Sequence, residues 1–351
     1  MTVATGADIA VRAGLPAEDA RRDAYVRAHP RGTFFHLAGW RRMVESVYGH
    51  EPLDVYAWRD DRLVGVLPLM LCRGLLGGRR LVSMPYAVYG GPLGDDADVE
   101  RRLVEEGRRL TRELSTSYLE LRCLEDPGFD LVQTNLYCTF MQELPADRAG
   151  VLARMPKKAR AEARKARDKH NLELSTGHWY LDDLQRMFLV NKRQLGSPGL
   201  PAAHFRGILE QFERDVFVHL VRLGDKPLAA VMSFAYDKTL IAYYAGTQPG
   251  ADRAYSASNF MYMALQEWAV ERGFRVFDFC RSRRDSGAFE FKRHQGFEPR
   301  PLNYLYHLER GAKPPAFTPS NPRTKVLRTA WSHLPEWLAR SLSDHLARFL
   351  P

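Results

Sequence analysis

The stretch from Ala254 to Phe297 runs through a helix, a strand, a basic turn and a second helix in quick succession, and this order restricts the fold tightly. From Asn259 to Glu271 the apolar residues Phe260, Met263, Ala264, Trp268 and Ala269 recur at three- and four-residue steps. That spacing predicts a helix with one buried face. Gly273 stands where a left-handed C-cap is expected. Phe274 to Phe279 then alternates large apolar and polar residues, as a half-buried strand does. The strand leads into Cys280-Arg281-Ser282-Arg283-Arg284, a basic turn, followed by Gly287 and a short helix carrying Phe291 and Lys292. A cationic turn between a strand end and a helix start suits an anionic group; a solvated basic loop is the competing reading.

A chain of 351 residues exceeds what one core usually supports, so two domains are expected. The boundaries read as 1–145, 146–312 and a tail over 313–351. The net charge of +9 calls for an anionic partner: nucleic acid, a phospholipid surface or a phosphorylated substrate. Cys72, Cys123, Cys138 and Cys280 form no Cys-x-x-Cys pair and no zinc-ligand spacing, so buried, reduced thiols are expected and no metal. The N-terminus lacks the basic-then-apolar plan of a signal peptide. The longest apolar run, Leu63 to Cys72, is too short to span a bilayer and contains Pro68. The expectation is a cytoplasmic protein, soluble or peripheral on the inner face of the membrane.

In the first domain a short strand near Ile9 and a helix over 17–28 precede Phe34-Phe35-His36…Trp40, an aromatic cluster that suits a core as well as a site. Leu53–Trp58 and Leu63–Leu71 flank a polar tip and predict a β-hairpin. Tyr86 and Tyr89-Gly90-Gly91-Pro92 form a turn that would let backbone approach a ligand closely, or a plain turn. A helix over 95–112 and strands at 118–122 and 136–143 follow. From 145 to 170 a helix is expected on which Lys157, Lys158, Arg160, Arg164, Lys165, Arg167 and Lys169 face only Glu162 and Asp168. Cations at this spacing repel one another unless an anion neutralises them, which points to a phosphate-rich partner, a solvated face being the alternative. Helices over 181–193 and 201–212 and strands at 216–221, 227–236 and 239–244 complete an antiparallel meander.

The run Cys280-Arg281-Ser282-Arg283, Gly287-Ala288-Phe289-Glu290-Phe291-Lys292 and Gly296-Phe297 resembles the second acyltransferase-like domain of the FemAB-like proteins, within the GNAT superfamily. It is similar in particular to the FemAB-related group found beside bacterial exopolysaccharide and exosortase genes. That group's pattern reads Gly-Arg-Ser-Lys, Gly-x-Tyr-x-Phe-Lys and Gly-Phe; here Cys280 replaces the glycine and Phe289 the tyrosine. Further matches are Phe35-His36…Trp40, Ser83-x-Pro85-Tyr86…Tyr89-Gly90-Gly91, Lys157 to Ala166, Leu195 to Pro198, and Asn321-Pro322…Trp331…Leu334-Pro335. The resemblance covers nearly the whole chain. It implies an α/β (α+β) fold of two GNAT-like domains, each a mixed, mostly antiparallel sheet flanked by helices, with a C-terminal helical tail.

The resemblance also implies an acyl or aminoacyl transfer that forms an amide or ester on a cell-envelope or exopolysaccharide precursor. Lys292 would neutralise the donor or the developing oxyanion, Phe291 would shape the pocket, and Asp278 would orient the acceptor amine or take its proton. Arg160 would hold an acceptor diphosphate, and Arg281, Ser282 and Arg283 a donor phosphate or acceptor carboxylate. Tyr89, Tyr244, Asn259 and His36 complete the substrate-binding candidates. GNAT acetyltransferases cradle pyrophosphate on an Arg/Gln-x-x-Gly-x-Gly/Ala loop, whereas Arg253 to Asn259 carries serines in place of the glycines. FemAB-like proteins share that departure and take aminoacyl groups from charged tRNA. No cofactor is implied, only a donor as co-substrate, aminoacyl-tRNA or acyl-CoA. The partners expected are an anionic or glycan precursor and tRNA; no helix-turn-helix or zinc finger points to DNA.

Two alternatives stay open: an acyl-CoA- or carrier-dependent acyltransferase of a polysaccharide sugar, and a non-catalytic docking protein for anionic lipid-linked glycans. The tail places Val326, Leu327, Trp331, Trp337, Leu338 and Leu342 among Arg323, Lys325, Arg328 and Arg340. Such a basic amphipathic segment suits a membrane interface or a contact with the domains themselves.

Overall fold

The computed structural model describes residues 8–75, 77–309 and 322–350. Along the chain run β1 (Ile9–Ala13), α1 (Asp19–Ala28), α2 (Ala38–Tyr48), β2 (Glu51–Pro52), β3 (Val55–Arg59), β4 (Arg62–Leu67), β5 (Met70–Arg73), β6 (Arg79–Val82), β7 (Leu93–Gly94), α3 (Ala97–Glu113), β8 (Tyr118–Cys123) and β9 (Val132–Thr134). There follow β10 (Tyr137–Thr139), β11 (Met141–Glu143), α4 (Arg148–Arg154), α5 (Lys157–Asp168), β12 (Glu173–Thr176), α6 (Leu181–Gln194), α7 (Ala202–Phe212), β13 (Val216–Leu223), β14 (Lys226–Tyr236) and β15 (Thr239–Thr247). The remainder is α8 (Ala251–Tyr255), α9 (Ala257–Glu271), β16 (Val276–Asp278), β17 (Ser282–Arg283), α10 (Gly287–His294), β18 (Arg300–Pro301), β19 (Asn303–Leu308), α11 (Pro322–Ser332) and α12 (Glu336–Leu346). Two compact units result, Met1–Asn135 with Leu302–Phe317 and Arg348–Pro351, and Leu136–Pro301 with Thr318–Ala347. The division thus falls at 135/136 rather than 145/146, because β10 and β11 pair with strands of the second unit. Likewise β19 pairs with β8 and β9 of the first. The proline-rich run from Pro314 lies outside the described residues up to Pro322.

The first unit holds two sheets, in the orders β1-β3-β4-β7 and β2-β5-β6-β8-β19-β9. The expected hairpin forms as β3 and β4. The apolar run after it does not continue as one strand: Pro68, which cannot donate to a ladder, ends β4, and β5 joins the other sheet. Beneath lies a buried ionic knot. Arg22 pairs with Asp54, whose carboxylate also takes Arg41 at 3.5 Å and the Leu69 N–H at 3.2 Å, while Arg22 Nε donates to the His36 carbonyl at 2.8 Å.

In the second unit the main sheet runs β11-β16-β15-β14-β13-β12, and a small sheet runs β17-β10-β18. The expected helix over 145–170 is two helices. Pro156 breaks it, and Met155 before the proline is extended, as sterics there require. The expected strand at 136–143 is also two strands, each in a different sheet. The meander is interrupted by a β-bulge opposite Met232/Ser233 that inserts Tyr243 into β15. A bulge flips the facing of every residue beyond it. Before it, Leu240 and Ala242 join the core that includes Phe260 and Met263 of α9; after it, Ala245 does so and Tyr244 packs on Phe188 of α6. The parallel pairing of β15 with β16 joins Thr239–Ile241 to Val276–Asp278, where β16 ends.

Asp54→Ala would leave Arg22 buried without its counter-charge. A loss of about 3–5 kcal/mol is expected, read as a fall in the denaturation midpoint followed by a probe in the first unit.

Candidate functional site

β16 ends at Asp278 opposite Ile241 while β15 runs on to Thr247, and the carboxyl ends of strands are the usual place for a ligand crevice in α/β sheets. A cavity of about 740 Å³ lies there within the second unit. Its walls come from α6 (Asn191, Gln194, Leu195), the end of β15 and the turn after it (Ala245, Thr247, Gln248, Asp252), α9 (Ser258, Met261, Tyr262) and α10 (Phe291, Lys292). Another groove, about 840 Å³ in the first unit, has two of its three arginines held by acids, Arg31 by Glu100 and Arg62 by Asp95 at 2.6 Å, while Arg21 lies 5.6 Å from the Trp58 ring. The second-unit cavity is therefore the candidate site.

Lys292 is its central charge. The side chain is buried, and Nζ donates to the carbonyls of Phe279 at 2.6 Å, Cys280 at 3.0 Å and Arg281 at 3.3 Å. Burial pulls the ammonium down to about 8, against partial support from Cys280 and Asp278. The turn that aims three successive carbonyls at one nitrogen is sharp. Cys280 takes a left-handed φ of 59°, a conformation that glycine adopts without a steric cost. Asp278 holds it there, its Oδ1 accepting the Cys280 N–H at 2.7 Å and the Thr139 hydroxyl at 3.3 Å. Asp278 is buried and absent from the cavity wall, so its place is that of a positioning residue and not of a base on the acceptor amine.

Polar residues of α6, β15 and α9 also line the cavity. In the amide orientation that satisfies both partners, Asn191 donates to the Thr247 carbonyl at 2.8 Å and accepts from its N–H at 3.0 Å, bracing α6 against β15. Thr247 Oγ1 lies 3.2 Å from Ser258 Oγ. The Asp252 carboxylate accepts both the Ser258 N–H at 2.7 Å and its hydroxyl at 2.9 Å. The amino end of α9, where a GNAT enzyme would hold pyrophosphate, thus carries an anion of the chain's own. Tyr262 lines the cavity, its ring packing on Phe279 (4.6 Å) and Phe291 (5.6 Å), and no hydrogen bond of its hydroxyl is found among the described residues. Burial holds that phenol well above its ordinary range.

Of the residues expected from sequence, Phe291 and Lys292 line this cavity and the others do not. Arg160 is half-buried on α5 and reaches the Ala153 carbonyl at 3.4 Å; Arg281 is exposed and lies 4.6 Å from the Tyr137 ring. Ser282 and Arg283 pair with Cys138 and Tyr137 as β17. Asn259 accepts from the Gln295 amide at 2.7 Å, tying α9 to the residue that caps α10. Tyr244 is buried, its hydroxyl 2.7 Å from His204 Nε2. In the first unit, His36 is buried with Nε2 at 2.9 Å from the Gly91 carbonyl and Nδ1 at 2.7 Å from Thr33 Oγ1, so both ring nitrogens are occupied. Burial lowers its pKa to about 3, and it stays neutral. Tyr89 is buried against Phe35. Through its bond to the Gly91 carbonyl, His36 braces the Gly90-Gly91 turn. All four cysteines are buried and unpaired. No group of three or more His, Cys, Asp or Glu among the described residues could hold a metal.

Sequence reasoning missed Tyr262, Asn191, Thr247 and Asp252. Tyr262 stands four residues after Ser258, one helical turn into α9, and that spacing was the available signal.

Residues 153–293 match the family model described as an acetyltransferase (GNAT) domain. Among solved structures the chain is similar to FemX, at 12% identity and a TM-score of 0.60 over 84% of this chain and 97% of that one. It is also similar to a tandem GNAT protein from the clavulanic acid biosynthesis pathway, at 12% identity and a TM-score of 0.55 over 88% and 99%. L-PGS from Bacillus licheniformis follows at 13% identity and a TM-score of 0.52 over 84% and 96%. A search among curated proteins gave no match. The second unit carries a GNAT domain in a chain with the two-domain fold of the tandem GNAT proteins. Residues 153–293 thus carry a GNAT domain, and the chain shares the FemX fold over 84% of its length.

Because Lys292 titrates near 8 in the fold and at its ordinary 10.5 when unfolded, the unfolded chain binds the extra proton between these values. Stability from this group is therefore complete above 10.5 and is lost as pH falls through 8. Denaturation midpoints measured from pH 8 to 10.5 should rise in the wild type relative to Lys292→Met; a constant difference would contradict the buried ammonium.

Proposed function

We propose that the chain is an acyltransferase of the aminoacyl type, taking its donor in the second-unit cavity and transferring the acyl group to an amine or hydroxyl of an anionic cell-envelope or exopolysaccharide precursor. The observation that carries this is the second-unit cavity beside the end of β15, which Lys292, Phe291 and Tyr262 line together. In the reaction the acceptor nitrogen bonds to the donor's carbonyl carbon and the carbon–oxygen ester bond breaks. The proton shed by the amine ends on the leaving hydroxyl. Such a step needs positioning and stabilisation of an oxyanion more than covalent help.

The residues divide that work. Tyr262 has a hydroxyl free to donate to the oxyanion. Lys292 directs its three protons to the 279–281 carbonyls, so it acts through its charge and through the turn it fastens. Phe291 and Met261 shape the apolar wall. Two observations favour aminoacyl-tRNA over acyl-CoA as donor. First, Asp252 occupies the α9 amino end and would repel a pyrophosphate there. Second, α5 and its C-cap Lys169 present Lys157, Lys158, Arg164, Lys165 and Lys169 to solvent with no acid paired to any of them among the described residues. This helix is bound to the cavity's edge through Glu162, which accepts from Ser256 just before α9. A row of exposed, unpaired cations suits a phosphate backbone. On α6, Lys192 likewise pairs with no acid among the described residues, and burial with the nearby Arg281 charge lowers its pKa. That suits an anionic acceptor.

The testing experiment is a donor screen with labelled aminoacyl-tRNA and labelled acyl-CoA, with diphosphate-linked sugars as acceptors. Label leaving tRNA is expected; turnover of acyl-CoA alone would establish the CoA-dependent alternative. Tyr262→Phe should lower kcat by about 100-fold with little change in KM, as loss of one oxyanion donor does; an unchanged kcat would remove Tyr262 from the chemistry. Asp252→Ala should raise CoA affinity in a binding titration while Asp252→Asn raises it less, since only the alanine vacates the α9 amino end. No gain with either would mean that the carboxylate is not what excludes CoA.

A further inference from the structure

Apart from Trp179, the large apolar side chains that remain exposed in the second unit gather on neighbouring elements. Leu195, Val326, Leu327 and Trp337 are 62%, 69%, 70% and 71% exposed, and the elements that carry them are joined to one another. The Arg328 guanidinium donates to the Leu195 carbonyl at 3.1 Å, Arg193 donates to the Leu334 carbonyl at 2.8 Å, and the Gly199 N–H donates to Ser343 Oγ at 3.0 Å. Both α11 and α12 are thereby moored on the end of α6 and the loop after it. On α12 the buried positions Ala339 and Ser343 face this mooring, which leaves Trp337 and Arg340 outward. Leu195 also lines the cavity.

We propose that α11, α12 and the end of α6 form a docking surface for an anionic lipid leaflet, which holds the mouth of the cavity at the membrane. A lipid surface is the occupant favoured by the composition of the patch. Exposed tryptophan and leucine beside arginine is the combination that settles at the headgroup boundary. Arg328 and Arg340 are exposed on the same two helices, and cations of this kind are drawn to anionic headgroups. No helix among the described residues is long and apolar enough to cross a membrane, so the surface lies on the leaflet and does not span it. The inference rests on the proposed transfer only in assigning a purpose to the location: an acceptor or product held in the lipid would meet the cavity at Leu195.

The test is flotation of the full chain with vesicles of phosphatidylcholine alone and of phosphatidylcholine with one part in about three of phosphatidylglycerol. Co-flotation with the anionic vesicles, weakened by salt, is expected, and Leu327→Ser combined with Trp337→Ser should cut it by about tenfold. Both side chains are exposed, so the double variant should keep the wild-type circular dichroism and its activity on a water-soluble acceptor. Absence of flotation, or equal flotation of the double variant, overturns the surface. Sedimentation of a dimer that the double variant dissolves would also overturn it and assign the patch to a second copy of the chain. Flotation without transfer from any donor would sink the enzymatic reading and leave the surface standing.

Discussion

A buried ammonium held by three backbone carbonyls is the interaction around which the second unit is organised. Removing a lysine from water is costly, and that cost is offset only if its protons are all satisfied. Phe279, Cys280 and Arg281 supply those acceptors because Asp278 fixes the turn between them. The strand, the turn and α10 therefore form one unit, and Lys292 is their fastening as much as a reactive group. The same turn carries the chain from β16 to β17 and so helps to direct it away from β15. Structure and chemistry share the residue.

The other determinant is the bulge in β15. With Tyr243 inserted, the end of the strand changes face, which puts Ala245 and Thr247 on the cavity side and Tyr244 against α6. Asn191 then grips both backbone groups of Thr247. Gly246 is needed at the same point: a Cβ there would stand 2.5 Å from the Met187 carbonyl carbon. Strand and helix approach so closely that the wall is rigid, as a site that works by positioning requires.

Much of this was legible in the sequence, and the reasons for the rest are physical. Periodicity located α9, β16 and α10, and motif spacing picked out Phe291 and Lys292, because those signals are local. Pro156 is equally local, yet the apolar stripe from Val151 to Ala166 runs through it and conceals the break. Tyr262 was hidden among the apolar residues of its helix, where only its contacts distinguish a lining phenol from a core one. The pairings of Asp252 with Ser258 and of His36 with Gly91 are set by backbone turns and tertiary approach, on which side-chain pattern is silent. His36 and Asp278 show the opposite hazard. Both fit a functional motif, and both are consumed by the framework that the motif preserves.

The most direct measurement is a crystal structure of the protein soaked with a non-hydrolysable 3′-aminoacyl-adenosine analogue. The expected density lies in the second-unit cavity, with the amide oxygen at hydrogen-bond distance from Tyr262 Oη and the Lys292 contacts intact. An empty cavity with the analogue elsewhere would contradict this assignment. So would a parallel soak with CoA in which its pyrophosphate displaces Asp252 from the amino end of α9.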